Sequence, residues 1–400
     1  MKKYTMLIIT ITMIFLTSIS YIYDHRYTEL PTITVPSIHI NSSKFGIIKE
    51  VVWLDSFVSA DAALLVLSSQ ENQGGNYSSL FYLNIDSGHS MLLSEFPSHK
   101  YLDNIILFDN TFSSQSIITP YKDGIVKTTL QRDNINDEEL TVSSNMIAIE
   151  GFENADSMDY KGQLFFSKST DKLLHIKDFH TGFFPNIFHT PSAPDYKTFY
   201  RDPYFIVNAN LLDRVLTYTS VNKNSVDLYS MGFDGAPVTK FNLPLIKNIV
   251  TAEAIEDGYG FIGMNTVDKE EELNIFMVRR SINHPKDLKI LDQIPFHTDV
   301  FGGIPSIDSI TFNEDYTLVY TYYDENHQGK LKVNRYNEEP KVIIEDKNLF
   351  GPIRIASKRL DGDDKRTELI LYFTSSDEGI KAKICDVEGN LVKDITGMLM

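Results

Sequence analysis

The sequence predicts an all-β protein. The expected fold is a single β-propeller of seven four-stranded blades, with six or eight as the alternatives, preceded by one apolar N-terminal helix. Three observations predict it. A strand–turn–strand pattern recurs along the chain at near-constant spacing. No amphipathic helical pattern longer than three turns follows residue 30. Phe and Tyr number 25 and 21 among 400 residues, and such side chains suit half-buried pleated surfaces.

The N-terminal element comes first. "MLIITITMIFLTSISYIY", residues 6–23, holds no charge, is preceded by Lys2 and Lys3, and is closed by Asp24, His25 and Arg26. Eighteen helical residues reach about 27 Å, near the thickness of the hydrocarbon core. Residues 1–26 therefore read as a retained signal-anchor or a cleaved signal peptide. Ser18 and Ser20 offer small residues for cleavage, but Ala-x-Ala is absent. No Cys follows the run, which excludes a lipoprotein anchor. Either reading keeps the two lysines in the cytoplasm and exports the rest. The expected location is the cell membrane, single-pass, with an extracytoplasmic C-terminal domain; cleavage would leave it secreted or periplasmic.

Residues 27–46 read as a linker or a closing strand. Pro31, Pro36, Ser42 and Ser43 suggest a stalk, while "TITV" and "SIHI" alternate as strands do. Such a strand could join the first sheet or close the ring beside the last blade.

Residues 47–400 carry the repeat. "SLFYLNIDSGHSMLL" (79–93) turns at Asp86-Ser87-Gly88, and "VDLYSMGFDGAPVTKF" (226–241) turns at Asp234-Gly235. "KLLHIKDFHTGFFPNIF" (172–188) turns at His180-Thr181-Gly182, and "IKAKICDVEGNLVKDI" (380–395) at Glu388-Gly389. Weaker versions lie around Asp133, at Asn283-His284-Pro285 and at Asn337-Glu338. Glycine in such turns supplies the positive φ that a tight hairpin requires. The turn centres, near 87, 133, 181, 235, 284, 338 and 389, repeat about every 50 residues, a spacing that marks repeat architectures.

Upstream strand pairs complete each unit. They read as "NMIAIEGF" with "QLFFSKS" in the third, "YFIVNAN" with "RVLTYTS" in the fourth, and "RIASKRL" with "ELILYFTS" in the seventh. Four strands in about 50 residues is the arithmetic of a propeller blade. A set of stacked β-sandwiches is the alternative.

"ITFNEDYTLVYTYYDENHQGKLKVNRYNEEPKVII", 310–344, resembles a TolB-type repeat of the propeller superfamily that includes WD repeats. Phe312 and Asp315 match the ends of its aromatic-Ser-Pro-Asp-Gly signature. Asn313 and Glu314 replace Ser-Pro, and Tyr316 replaces Gly. Residues 57–93 echo it more faintly. The resemblance covers two units and implies an architecture, not an activity.

Several motifs invite a chemical reading. Gly258–Gly263, "GYGFIG", fits G-x-G-x-x-G, but strand-like sequence follows where a dinucleotide site needs a helix. Gly258 reads as a turn residue and Gly260 as a close strand approach. Asp361–Asp364, "DGDD", lacks the Gly and Glu spacing of a calcium loop. His175, His180 and His189 share one hairpin, with 175 and 189 offset across it, which is poor zinc geometry. "DKEEE", 268–272, reads as an exposed loop. Asn41-Ser42-Ser43 and Asn76-Tyr77-Ser78 are glycosylation sequons in a eukaryotic context. Cys385 stands alone and reads as a small buried hydrophobe. One Trp, Trp53, argues against sialidase and quinoprotein propellers. No catalytic, cofactor-binding or metal-binding residue is assigned, and no cofactor is expected.

Charge narrows the partners. The chain holds 37 basic and 54 acidic residues, a net charge of −17. That disfavours nucleic acid, which needs clustered Lys and Arg. The expected function is a membrane-tethered scaffold, held by residues 6–23, that binds a protein partner outside the cytoplasm. The alternative is a propeller hydrolase or lyase whose acidic residues converge on the axis. Convergence of carboxylates, His or Arg from three innermost strands, with shifted pKa values, would favour the enzyme.

Overall fold

The computed structural model describes residues 40–54, 63–72, 75–100, 102–103, 105–110, 114–131 and 140–148, the strands between 157 and 294, and residues 305–312, 315–359, 366–377 and 379–400. Residues 6–23 and "TITV" lie outside these. Among the described residues no helix is long and apolar enough to cross a membrane.

The described chain forms seven antiparallel sheets, each built from consecutive strands. Sheet one holds β1 (Ile40–Ser42), β2 (Gly46–Leu54), β3 (Ala63–Asn72), β4 (Gly75–Asn84) and β5 (Ser90–Pro97). Sheet two holds β6 (Ile106–Asn110), β7 (Ser114–Tyr121), β8 (Gly124–Gln131) and β9 (Thr141–Ala148). Sheet three holds β10 (Ser157–Asp159), β11 (Leu164–Ser167), β12 (Lys172–Lys177) and β13 (Asn186–His189). Sheet four holds β14 (Tyr204–Asn210), β15 (Val215–Asn222), β16 (Ser225–Gly232) and β17 (Pro237–Pro244). Sheet five holds β18 (Ile246–Ile255), β19 (Gly258–Val267), β20 (Glu270–Arg279) and β21 (Asp287–Ile294). Sheet six holds β22 (Ser306–Phe312), β23 (Asp315–Tyr323), β24 (Gly329–Arg335) and β25 (Lys341–Glu345). Sheet seven holds β26 (Leu349–Arg359), β27 (Arg366–Ser376), β28 (Gly379–Asp386) and β29 (Leu391–Asp394), followed by the helical turn α1 (Thr396–Leu399).

All seven expected turn centres fall in the connection before a sheet's last strand. In one place the structure corrects the sequence reading. "NMIA" is the end of β9, the last strand of sheet two, and not the first strand of sheet three. The acidic stretch 132–139 before β9 hides that strand from turn-based reading. Of residues 27–39, which hold "TITV" and most of "SIHI", none is described. Ile40, the last residue of "SIHI", begins β1, and β1 pairs with β2 of sheet one (Ile40 opposite Ile48).

The sheets stack through their faces. Along β23, Tyr316, Leu318, Tyr320 and Tyr322 share one apolar cluster with Ile262 and Ile275 of sheet five. Val319 points the other way, into a cluster with Ile355, Ile370 and Cys385 of sheet seven. A period-two strand with both faces buried is what sheet-on-sheet stacking demands. Sheets one and two share a cluster of Leu65, Leu67, Phe96, Ile117 and Val126. A further cluster joins the two ends of the chain: Ile48, Val51 and Trp53 of sheet one meet Leu371, Phe373 and Ile384 of sheet seven, with Ile395 and Leu399.

A second repeat was not legible in the sequence. β5, β17, β21, β25 and β29, all last strands, carry a register shift against the strand before them. Each is a β-bulge, which twists an edge strand and discourages pairing with a foreign strand.

Candidate functional site

Charged side chains from β2, the second strand of sheet one, and from the first strands of sheets six and seven come together where the sheets meet. Glu50 stands on β2, Asp308 on β22 and Arg354 on β26. Nη2 of Arg354 donates to Oε1 of Glu50 at 3.1 Å, and the other oxygen, Oε2, accepts the Ile105 N–H at 2.9 Å. Nη1 of Arg354 donates to the carbonyl of Ile353 at 3.0 Å. Oδ2 of Asp308 accepts the Ile355 N–H at 2.8 Å, and Oδ1 accepts the Ser309 N–H at 3.0 Å. Oγ of Ser306 accepts the Ile353 N–H at 3.3 Å.

The electrostatics follow from burial. Desolvation pushes the Glu50 carboxyl above its ordinary value, outweighing the Arg354 charge and the Ile105 N–H, which both pull it down. Asp308 is pushed up for the same reason, against the opposing charge of Arg354. The side chains of Glu50 and Arg354 keep 16% and 27% exposure, so water still reaches the pair. Nearby, Lys49 and Asp103 form a looser ion pair at 3.7 Å.

The bonding order has a direction. Asp308 of sheet six caps an N–H of sheet seven; Arg354 of sheet seven pairs with Glu50 of sheet one; Glu50 caps the N–H of Ile105, just before sheet two. Each carboxylate oxygen is engaged, two of the four across to the following sheet. Such groups fasten sheets together, and a buried carboxylate that accepts two bonds is poorly placed to attack a substrate.

A second polar cluster joins sheets five and six. Asp292 on β21 accepts from Tyr320 Oη at 2.5 Å, Tyr322 Oη at 3.1 Å and Lys332 Nζ at 2.6 Å. Burial and the bond to Asp292 push the Tyr320 phenol upward. Lys332 is pulled down by burial, but its bonds to Asp292 and Tyr322 outweigh that and raise it. Its ammonium also lies 5.4 Å from the Tyr322 ring centroid.

The residues weighed in the sequence fall as follows. Gly258 opens β19 opposite Ile255, and a Cβ at Gly260 would meet both Leu318 methyl carbons at 2.7 Å. "GYGFIG" is therefore strand, with Gly260 at a close approach. His175 lies opposite Phe188, and His189 opposite Leu174, so the two occupy adjacent register positions and not facing ones. His180 and Asp361–Asp364 lie outside the described residues. Of "DKEEE", residues 270–272 belong to β20, and residues 268–269 lie outside. Phe312 and Asp315 pair at the β22–β23 turn. Cys385 is fully buried, and burial pushes its thiol up to about 12. Among the described residues no group of three His, Cys, Asp or Glu side chains could hold a metal. Sequence reading missed Glu50, Asp308 and Arg354, which carry no shared local motif.

No family model matches the chain, and no curated protein matches it. Solved structures do. Sqt1 from Chaetomium thermophilum is similar at 9% identity and a TM-score of 0.50, over 90% of both chains. A puromycin-hydrolyzing peptidase of Mycobacterium tuberculosis is similar at 11% identity and a TM-score of 0.48, over 92% of this chain. The chain spans 57% of that peptidase's length. An uncharacterized protein of Listeria monocytogenes is similar at 12% identity and a TM-score of 0.45, over 90% of this chain and 97% of its own. The neighbours have propeller-like folds, and the likeness bears on fold alone.

Proposed function

We propose that the chain is a closed seven-bladed propeller of TolB type, tethered to a membrane by residues 6–23, that binds a protein partner outside the cytoplasm. One observation carries the binding reading over catalysis. Three of the four carboxylate oxygens of Glu50 and Asp308 are committed to bonds that join adjacent sheets, and the fourth accepts the Ser309 N–H of its own strand. The cluster shared by sheets one and seven supports closure of the ring. Tethering rests on the charge-free run and its flanking lysines.

The domain is strongly acidic. Removing Lys2, Lys3, Asp24, Arg26 and Glu29 leaves 34 basic and 52 acidic residues, a net charge of −18. Such a body avoids anionic bilayers and attracts basic surfaces. Acidic sequence at 268–272 and 361–364 would steer association.

A second reading, a hydrolase or lyase with its site on the axis, keeps one observation in its favour. Glu50 and Asp308 both hold raised carboxyls beside Arg354, a pattern frequent at catalytic sites.

The test is capture from envelope extract with the full chain, followed by association kinetics of the recovered complex at low and high salt. A partner whose association slows in salt supports the scaffold. Turnover of an ester, peptide or glycoside substrate that is lost in Glu50→Gln or Asp308→Asn, with folding retained, would transfer the function to the enzyme reading. A C-terminal reporter read on the cytoplasmic side would sink the topology.

A further inference from the structure

We propose that β9 is a docking edge for an extended polypeptide segment with an uncharged core and basic flanks. The proposal rests on the scaffold reading and names the surface and the chemistry of the partner.

The argument begins with the other last strands. β5, β17, β21, β25 and β29 each carry a bulge. Each also holds charge or proline: Glu95 and Pro97; Pro237, Lys240 and Pro244; Asp287, Lys289 and Asp292; Lys341 and Glu345; Lys393 and Asp394. β13 is only four residues long, and Pro185 precedes it. Bulges, charges, prolines and short length are the recognised ways to keep an edge strand from pairing with another chain.

β9 has none of them. It is eight residues long, "TVSSNMIA", without charge or proline. Its pairing with β8 runs unbroken from Gly124 opposite Ala148 to Gln131 opposite Thr141. Six of its eight residues are exposed, and Met146 keeps 59% of its surface. It ends the order of sheet two, with no strand on its far side among the described residues. A regular edge of this kind offers a row of backbone donors and acceptors, and strand addition is the recognition mode that uses them.

Charge selects the occupant. The sequence before β9 holds Asp133, Asp137, Glu138 and Glu139 against Arg132, and the sequence after it holds Glu150, Glu153 and Asp156 with no base. A second copy pairing antiparallel through β9 would set acidic sequence against acidic sequence, which opposes association. An incoming strand with Lys or Arg at its ends carries the sign opposite to the acidic sequence that flanks β9 on both sides.

The probe is a synthetic peptide of eight alternating Thr and Val residues with three lysines at each end, titrated against the full chain by fluorescence anisotropy. A version with glutamates replacing the lysines should bind at least about tenfold more weakly. N-methylation of alternate peptide residues, which removes one edge's donors, should abolish binding. So should Met146→Lys, an exposed substitution that adds a gatekeeper charge. Equal binding of the two charge versions, or of the N-methylated peptide, overturns the proposal, as does absence of binding. Self-association relieved by Met146→Lys would show a second copy as the occupant and overturn the choice of partner. The two levels separate in the envelope capture. A partner held equally by the chain and by Met146→Lys leaves the scaffold standing and removes β9 from it, whereas no specific partner at all removes the scaffold.

Discussion

The indole Nε1 of Trp53 donates to the backbone carbonyl of Arg354 at 3.1 Å, across 301 residues of sequence. Trp53 is the chain's one tryptophan and is 7% exposed. It lies in the apolar cluster that joins sheet one to sheet seven. Its fluorescence therefore reports on that junction alone. The emission maximum should shift to the red on thermal unfolding, with the same midpoint as far-ultraviolet circular dichroism. A fluorescence transition that comes first would mean that the junction opens while the sheets persist. Trp53→Phe loses the indole N–H bond, worth about 1 kcal/mol, and leaves part of the buried indole's space unfilled, so it should cost more than the bond alone.

Arg354 and Glu50 form the charged half of the same junction, 3.1 Å apart. Arg354→Ala strands the Glu50 carboxylate among buried groups and should destabilise by about 3 kcal/mol. Glu50→Gln should cost less, because the amide needs no counter-charge. The double variant should be more stable than Arg354→Ala alone, and denaturant unfolding of the four proteins measures the coupling. Strict additivity would mean that the pair does not act as one unit.

Glu50 and Asp308 also set a sign for pH. Both carboxyls lie above their ordinary values of 4.5 and 3.8 in the folded protein. The folded state therefore binds these protons more tightly than the unfolded one. Stability should rise as pH falls from neutral through the raised values, and the gain should be complete below the ordinary ones. Asp324, Asp386 and Asp394 are held below their ordinary values, with backbone N–H bonds among the causes that outweigh desolvation. They act oppositely, losing stability in stronger acid. Glu50→Gln with Asp308→Asn should flatten the first limb of the melting-temperature profile and leave the second. An unchanged profile would contradict the assignment.

The repeat was legible because its signals are local. Asp-Gly and x-Gly turns, with period-two alternation beside them, are read within a dozen residues. The Phe312–Asp315 pair shows the same locality: the two residues face each other across the β22–β23 turn. The site was not legible. Glu50 and Arg354 are 304 residues apart, and Asp308 caps an N–H 47 residues on. Only stacking of the sheets brings them together. β9 was misread because an acidic stretch, not a glycine turn, leads into it.

Gly260 gives a packing prediction. It is buried, and an added Cβ would lie 2.7 Å from both Leu318 methyl carbons. Gly260→Ala should destabilise by about 1–3 kcal/mol through overpacking between sheets five and six. Leu318→Ala removes the clashing atoms but costs about 2–5 kcal/mol on its own, so the double variant should lose less than the two single losses together. Strict additivity would place the strain elsewhere.

The C-terminal residues hold the chain's first described strand. The backbone carbonyl of Met400 accepts the Ser43 N–H at 3.0 Å and the Ser43 hydroxyl at 2.5 Å. Ile395 and Leu399 are fully buried beside Ile40, Phe45 and Ile48. Lys393 Nζ donates to the carbonyl of Ile85 at 2.6 Å, on the β4–β5 turn of sheet one. The last eight residues thus touch both sheets: Lys393 and Asp394 pair with β28 and the Ile395 N–H donates to the carbonyl of Ala382 in sheet seven, while Met400, Leu399 and the Lys393 ammonium reach sheet one. Two buried aliphatic side chains contribute about 1.5–3 kcal/mol each. Deleting residues 395–400 removes both, together with the hydrogen bonds of Ser43. The truncated protein should melt at a clearly lower temperature, with Trp53 exposed before the strand signal is lost. Sheet one should become the first site of proteolysis, since its junction face then meets water. A melting curve of unchanged midpoint and full height in the truncated protein would show that the termini do not fasten the fold.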